Sequence, residues 1–414
     1  MTKTFLRFLP FWIFLVFFKF GGALHYSLVS PLGERVLPLW IVGLIMGGGS
    51  IVQFLLDVPA GHLLDRYGYR KLLKLTTFIF LFAAVAYIFD FTLVTYLISM
   101  VVSTFGWLFF GPGVNAYILS HAPREYAGRF MSLRDVSGSI GVVLSSAVLP
   151  FVVLFTPRAM GWVIFALLFI AWISLYFSPE DTHSVHEEIK LPTQHHYIKR
   201  NSLAVTMKAM KKLDPASSML LIAGLVAGIF YGAIWFVVPL VIASQAAGSE
   251  LLGIGLGIFD FAIVLLGFFL GNLADRANRR SLVFFGLLVF SISGMLIGFN
   301  FGWLFLLFGF LATSGDEMSE ISLWSWLHSL DREHDSDGLI SGVINFFSDV
   351  GWAIGPIMAG FLYTVIGPSW TILIAALPIL VAWMVYQFIL KRHRRYGISP
   401  VPVPRKPHRA RHRT

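Results

Sequence analysis

The chain has 414 residues, of which 57% are hydrophobic and only 13% charged, with a mean hydropathy of +0.77. Soluble domains carry about 25% charged residues, so composition excludes a soluble protein and points to one that crosses a membrane many times. There is no cysteine, which excludes disulfides, thiolate metal sites and cysteine nucleophiles. The net charge of +9 is not a nucleic-acid signature, because all but Lys19, Arg35 and Arg158 of the 31 Lys and Arg fall in loops or helix ends assigned to one side. That asymmetry follows the positive-inside rule and predicts cytoplasmic termini.

In chain order, Lys3 and Arg7 precede an apolar run that reaches about Val29, too long for a signal peptide and without a small-residue cleavage site, so a retained first helix is expected. A bilayer core needs about 20 apolar residues per spanning helix. Twelve such stretches fit the chain: approximately 8–29, 39–63, 72–90, 94–119, 132–154 and 160–177, then 217–243, 252–273, 281–299, 302–327, 338–364 and 369–390. The first six make an N-terminal half, 1–177, and the second six a C-terminal half, 217–390. Between them, 178–216 is too charged to span and reads as a cytoplasmic linker whose second part, Leu203–Leu213, is an amphipathic surface helix. Its His183, His186, His195 and His196 raise a metal site, but solvated linker histidines are the commoner case and no metal is assigned. The tail 391–414 holds nine Lys or Arg and four prolines and reads as a disordered basic segment attracted to anionic lipid. With Tyr396 its one aromatic, it lacks the stacking platforms of a nucleic-acid binder.

One motif occurs twice, 210 residues apart: Gly61-His62-Leu63-Leu64-Asp65-Arg66-Tyr67-Gly68-Tyr69-Arg70-Lys71, and Gly271-Asn272-Leu273-Ala274-Asp275-Arg276-Ala277-Asn278-Arg279-Arg280. Each copy sits between two apolar runs. A second pair, Asp135-Val136 with Ile140-Gly141 and Asp349-Val350 with Ile354-Gly355, repeats at an offset of 214, so six helices are duplicated. Gly61 lets its helix approach a neighbour closely. Asp65 can pair with Arg or meet a helix N-terminus. Gly68 permits a positive φ in a tight turn, and Asn278 is expected to do the same in the second copy.

On these residues the chain resembles the major facilitator superfamily over essentially its whole length, the family pattern being G-x-L-x-D-R-x-G-R-R/K. The resemblance implies an all-α integral membrane fold of twelve transmembrane helices in two pseudo-symmetric six-helix halves, with a cavity lined by helices 1, 4, 7 and 10. It also implies that Gly61, Asp65, Arg66, Gly68, Arg70, Lys71, Gly271, Asp275, Arg276, Arg279 and Arg280 form a latch that stabilises the outward-open state; a purely topological charge cluster is the alternative. Helix 11 carries Gly351 to Gly360 with Gly355-Pro356, similar to the G-x-x-x-G-P-x-x-G-G element that antiporter members carry in helix 5, where this chain has Gly138 and Gly141 with no proline following them in the motif. The start of helix 4 (Val101, Val102, Ser103, Thr104) lacks the arginine found in many proton-coupled members.

Ionisable residues inside the bilayer cost at least about 2.5–3.5 kcal/mol each at the centre, so they mark function or pairing. Helix 1 carries Lys19 and, further out, His25; helix 10 carries Asp316, Glu317 and Glu320, with Asp316 and Glu320 sharing a face. One lysine opposite three carboxylates leaves surplus acid, and a shared proton relieves the repulsion. A static ion-pair network is the plainer reading; a divalent metal site lacks a second helix of ligands. Asp57, Asp135 (beside Arg134), Asp260, Asp349, Gly355 and Pro356 are assigned structural or gating roles. Asn115 and Tyr117, Tyr231 and Trp235, and Trp324 and Trp326 are candidates for substrate contact, packing or interfacial belts.

The expectation is a transporter of a small solute in the plasma (inner) membrane, multi-pass and monomeric, moving its substrate by alternating access with protons as partner, without a cofactor or nucleic acid. Efflux of an amphipathic or drug-like compound is favoured. The alternatives are a facilitator or symporter of sugars or organic anions, and a non-transporting sensor of transporter ancestry. A membrane enzyme finds no support: there is no Ser-His-Asp, HExxH or dense histidine pattern.

Overall fold

The computed structural model describes residues 7–89, 91–121, 127–152, 156–180, 215–244, 250–276, 278–299, 302–330 and 337–395. The linker from residue 181, with its histidines and its expected amphipathic helix, and the tail beyond residue 395 lie outside the described residues.

The described chain is all helix. Hydrocarbon offers no partner to a free N–H or C=O, so a spanning segment must satisfy its backbone internally. α1 is Leu9–Gly33, α2 Leu39–Tyr67 and α3 Tyr69–Ile88. α4 comes in two pieces, Leu93–Leu108 and Phe110–His121. α5 is Ala127–Val152 and α6 Pro157–Phe177. α7 is Pro215–Ser244, α8 Glu250–Arg276, α9 Arg279–Ile297 and α10 Trp303–Leu330. Within Asp337–Arg395 the non-helical Gly367, with φ 78°, divides the chain into α11 (337–366) and α12 (368–395). Among the described residues eight helical stretches are long and apolar enough to cross a membrane, one of them (Phe346–Phe388) covering both α11 and α12.

Helix ends follow local chemistry. The Thr92 side chain accepts from Thr95 N–H (3.3 Å) while the Thr95 hydroxyl accepts from Thr92 N–H (2.9 Å), a capping box that starts α4. Thr156 caps α6, with Pro157 in its first turn. Gly68 has φ 91° and its N–H closes α2 on Leu64 O (3.0 Å), as its place in the motif predicted. Asn278 departs from expectation: its φ is −71°, and its side chain instead accepts from Arg280 N–H (3.1 Å) as the cap of α9. A short polar side chain that can take αL can also cap, and here capping prevails. The motif's first residues are also not a loop: α2 runs on through Tyr67.

The duplication extends to helix crossings. A Cβ on Gly141 of α5 would collide with Val16 O and lie 2.9 Å from Phe20 N of α1; one on Gly355 of α11 would lie 2.6 Å from Ile229 O and 2.9 Å from Ala233 N of α7. Gly106 of α4 likewise meets Phe80 of α3 as Gly315 of α10 meets Phe290 of α9. Small residues at such places let backbones touch, which is how helices associate where lipid gives no hydrophobic drive between them.

The halves meet through α2 against α11, α5 against α8 and α1 against α7. Gly43 and Gly47 of α2 abut the backbone of Pro356, Gly360 and Ala353. Gly257 lies against Ser146, and the Ser30 hydroxyl donates to Phe236 O (2.9 Å). These contacts gather towards the end opposite the two basic motifs. Trp40, Trp162, Trp303 and Trp370 are all exposed near the starts of their helices at that same end, forming an aromatic belt of the kind found at membrane–water interfaces.

Candidate functional site

A cavity of about 310 Å³ lies among α7, α8, α10 and α11. On α10 the spacing i, i+3, i+4, i+7 puts Thr313, Asp316, Glu317 and Glu320 on one face, and all four line it. On α7, Ala223, Gly224, Ala227 and Gly228 leave room at the basic end, and Tyr231 and Trp235 fill the space deeper in. α8 adds Phe259, Asp260 and Ile263, and α11 adds Ser348 and Trp352. Along α10, Thr313 and Asp316 are buried and Glu320 is exposed, so the cavity opens towards the basic end. Of helices 1, 4, 7 and 10, expected to line a cavity, α7 and α10 line this one, and its described lining residues all belong to the C-terminal half. From α1, Tyr26 packs on Trp235 and Trp352, with ring centres 6.0 and 6.4 Å apart.

The Tyr231 hydroxyl lies 3.5 Å from Thr313 Oγ1 and faces Asp316, while its ring stacks on Phe290. Asp260 accepts from the Ser139 hydroxyl of α5 (3.1 Å), so this carboxylate joins the two halves. Sequence reasoning assigned Asp260 a structural or gating place. The structure puts it in the cavity wall as well, and its position near mid-span was the one available signal.

Lys19 packs against α4 and α5. Its ammonium lies 5.1 Å from the ring centre of Trp107 and 5.3 Å from that of Phe110, and its stem runs past Gly138 and Gly141. Cation–π attraction contributes about 2 kcal/mol or more in a desolvated site. Lys19 and Asp260 lie within electrostatic reach of one another across the two halves.

His25 is buried against Phe80 and Tyr87 and does not line the cavity; neither ring nitrogen has a hydrogen-bond partner among the described residues. Asn115 accepts a hydrogen bond from Arg134, which also bridges to Asp135 (2.6 Å), joining α4 to α5. Tyr117 is buried and donates to Pro179 O (2.7 Å), holding the end of α6. Asp349 lies on α11, near the cavity residue Ser348. Gly355 and Pro356 pack α11 against α7 and α2.

In the first basic motif Arg70 donates to Leu175 O (2.8 Å), Tyr176 O (2.5 Å) and Glu180 Oε1 (3.2 Å), clamping the start of α3 to the end of α6. Arg66 and Lys71 flank the Tyr67 ring. In the second, Arg280 O accepts from the buried Tyr386 of α12 (2.9 Å). The side chains of Asp57, Asp65, Gly61, Gly271, Asp275, Arg276, Arg279, Trp324 and Trp326 lie outside the described set.

The sequence profile of the Major Facilitator Superfamily matches residues 3–315 and 220–412. The chain belongs to the major facilitator superfamily. It is therefore a multi-pass membrane transporter in type rather than an enzyme. Among solved structures, this superfamily member is similar to the nucleoside transporter NupG (TM-score 0.69, 14% identity, 94% of this chain and 100% of that one). It is also similar to the D-xylose–proton symporter (0.66, 15%, 91% and 96%) and to the human organic anion transporter MFSD10, or TETRAN (0.62, 16%, 93% and 98%). At such identities these likenesses speak to the fold. No curated protein sequence matches the chain.

Proposed function

We propose that this chain is a proton-coupled secondary transporter working by alternating access, captured here facing the cytoplasm. The carrying observation is a cavity that opens at one end, is lined by Asp260, Asp316, Glu317 and Glu320, and lies beneath a closed opposite end where Ser30 bonds Phe236. The positive-inside rule makes the open, basic end cytoplasmic. Carboxylates gathered in a low-dielectric site favour proton uptake and exchange with whichever side the cavity faces. Structural relatives include a sugar–proton symporter, a nucleoside transporter and an organic anion transporter. The proposal for this chain is an amphipathic solute, moved outwards.

The test is flux in proteoliposomes under an imposed pH gradient, with xylose, uridine, benzoate and ethidium as cargo. At least one should move faster with the gradient than without it, and Glu317→Gln should remove that acceleration. Gradient dependence that survives in Glu317→Gln would take this carboxylate out of the coupling. A compound that stabilises the protein while nothing is transported would make the chain a sensor.

A further inference from the structure

The cavity's chemistry is one-sided. Among the described residues that line it none is Lys, Arg, His, Asn or Gln, while four are carboxylates. Lys19 lies over the rings of Trp107 and Phe110 in the other half and, of the four carboxylates, acts on Asp260. Trp235 and Trp352 line the same cavity, and indole is the ring that attracts a desolvated cation best.

We propose that this cavity binds an organic cation, a protonated or quaternary amine bearing an apolar group, rather than an anion or an uncharged sugar. The proposal rests on reading the cavity as the transport site and specifies its cargo. An ammonium entering the site exchanges its hydration for carboxylates and indole faces. An anion would meet like charge with no guanidinium or ammonium among the described lining residues to receive it. A sugar needs donors and acceptors in alternation, yet the described wall offers carboxylate acceptors in excess and no amide group to balance them. The apolar group has a place against Phe259 and Ile263, and the Ala and Gly residues of α7 keep the entry wide.

The test uses the full chain in lipid nanodiscs and three probes of similar shape: phenyltrimethylammonium, its uncharged isostere tert-butylbenzene, and benzenesulfonate. Binding is read by tryptophan fluorescence and by thermal shift. The ammonium should bind about tenfold or more tighter than its neutral isostere, the scale of one desolvated ionic or cation–π contact, and the sulfonate should not compete. Asp316→Asn and Glu320→Gln should each weaken the ammonium several-fold. Should the buried Asp316→Asn fail to fold, Glu320→Gln, at the exposed mouth, decides the matter. Tighter binding of benzenesulfonate or xylose overturns the proposal, as does unchanged ammonium binding in folded Glu320→Gln. Stabilisation by magnesium alone, without the ammonium, also overturns it in favour of a metal site. Flux in vesicles separates the two levels: ammonium binding without flux retains the cation site and refutes transport, whereas xylose flux without ammonium binding does the reverse.

Discussion

His25 is buried with both ring nitrogens unbonded among the described residues, between the rings of Phe80 and Tyr87. A buried polar group without a partner costs about 1–3 kcal/mol, so His25→Leu should match or exceed wild-type thermal stability and leave flux unchanged. A stable His25→Leu protein that has lost transport would return the histidine to the mechanism. The sequence could mark His25 and Lys19 as polar residues in one apolar helix, but not their surroundings. Where each side chain points depends on how α1 crosses α3, α4 and α5, and the pinch at Gly141 that fixes one of those crossings is a tertiary fact. The acidic face of α10 was legible because its spacing is local. Asp260 was legible only as a mid-span acid, since its neighbours Ser139 and Lys19 come from the other half.

At the scale of helices, α1 crosses α5 as α7 crosses α11, with glycine at the contact in both. Gly141→Ala and Gly355→Ala should therefore lower stability by similar amounts, about 1–3 kcal/mol each from overpacking. Lying in different halves without shared partners, their effects should add. Gly48, with open space where a Cβ would stand, supplies the control: Gly48→Ala should leave the melting temperature unchanged. Urea or thermal unfolding of the reconstituted variants measures all three. A harmless Gly141→Ala would mean that α1 and α5 can separate freely. The spans themselves were readable from apolar length, and the duplication from two repeated motifs. What sequence length could not reveal was the break of α4 at Phe109, the run of α2 through the motif to Tyr67, or the choice of Asn278 to cap α9, because each is settled by hydrogen bonds competing at a helix end.

Across the whole molecule, alternating access requires that the closed end can open at modest cost. Most of that closure is glycine-lined backbone contact between α2 and α11 and between α5 and α8, to which Ser139 and Asp260 add one hydrogen bond nearer mid-span. The hydrogen bond from Ser30 to Phe236 O, 2.9 Å long and buried, links α1 to α7 and is lost when the outer ends part. Its removal in Ser30→Ala subtracts about 0.5–1.5 kcal/mol from the closed form, a shift of about two- to tenfold in the balance between facing states. The natural absence of cysteine makes this measurable: Ala227→Cys, placed in the open cavity, should label readily with a membrane-impermeant maleimide applied from the basic side. Adding Ser30→Ala should slow that labelling, by at most the same two- to tenfold factor, because the cavity spends less time open to that side. Faster or equal labelling would show that the Ser30 bond does not hold the outer end shut, and that the packed α2–α11 and α5–α8 seams alone set the equilibrium.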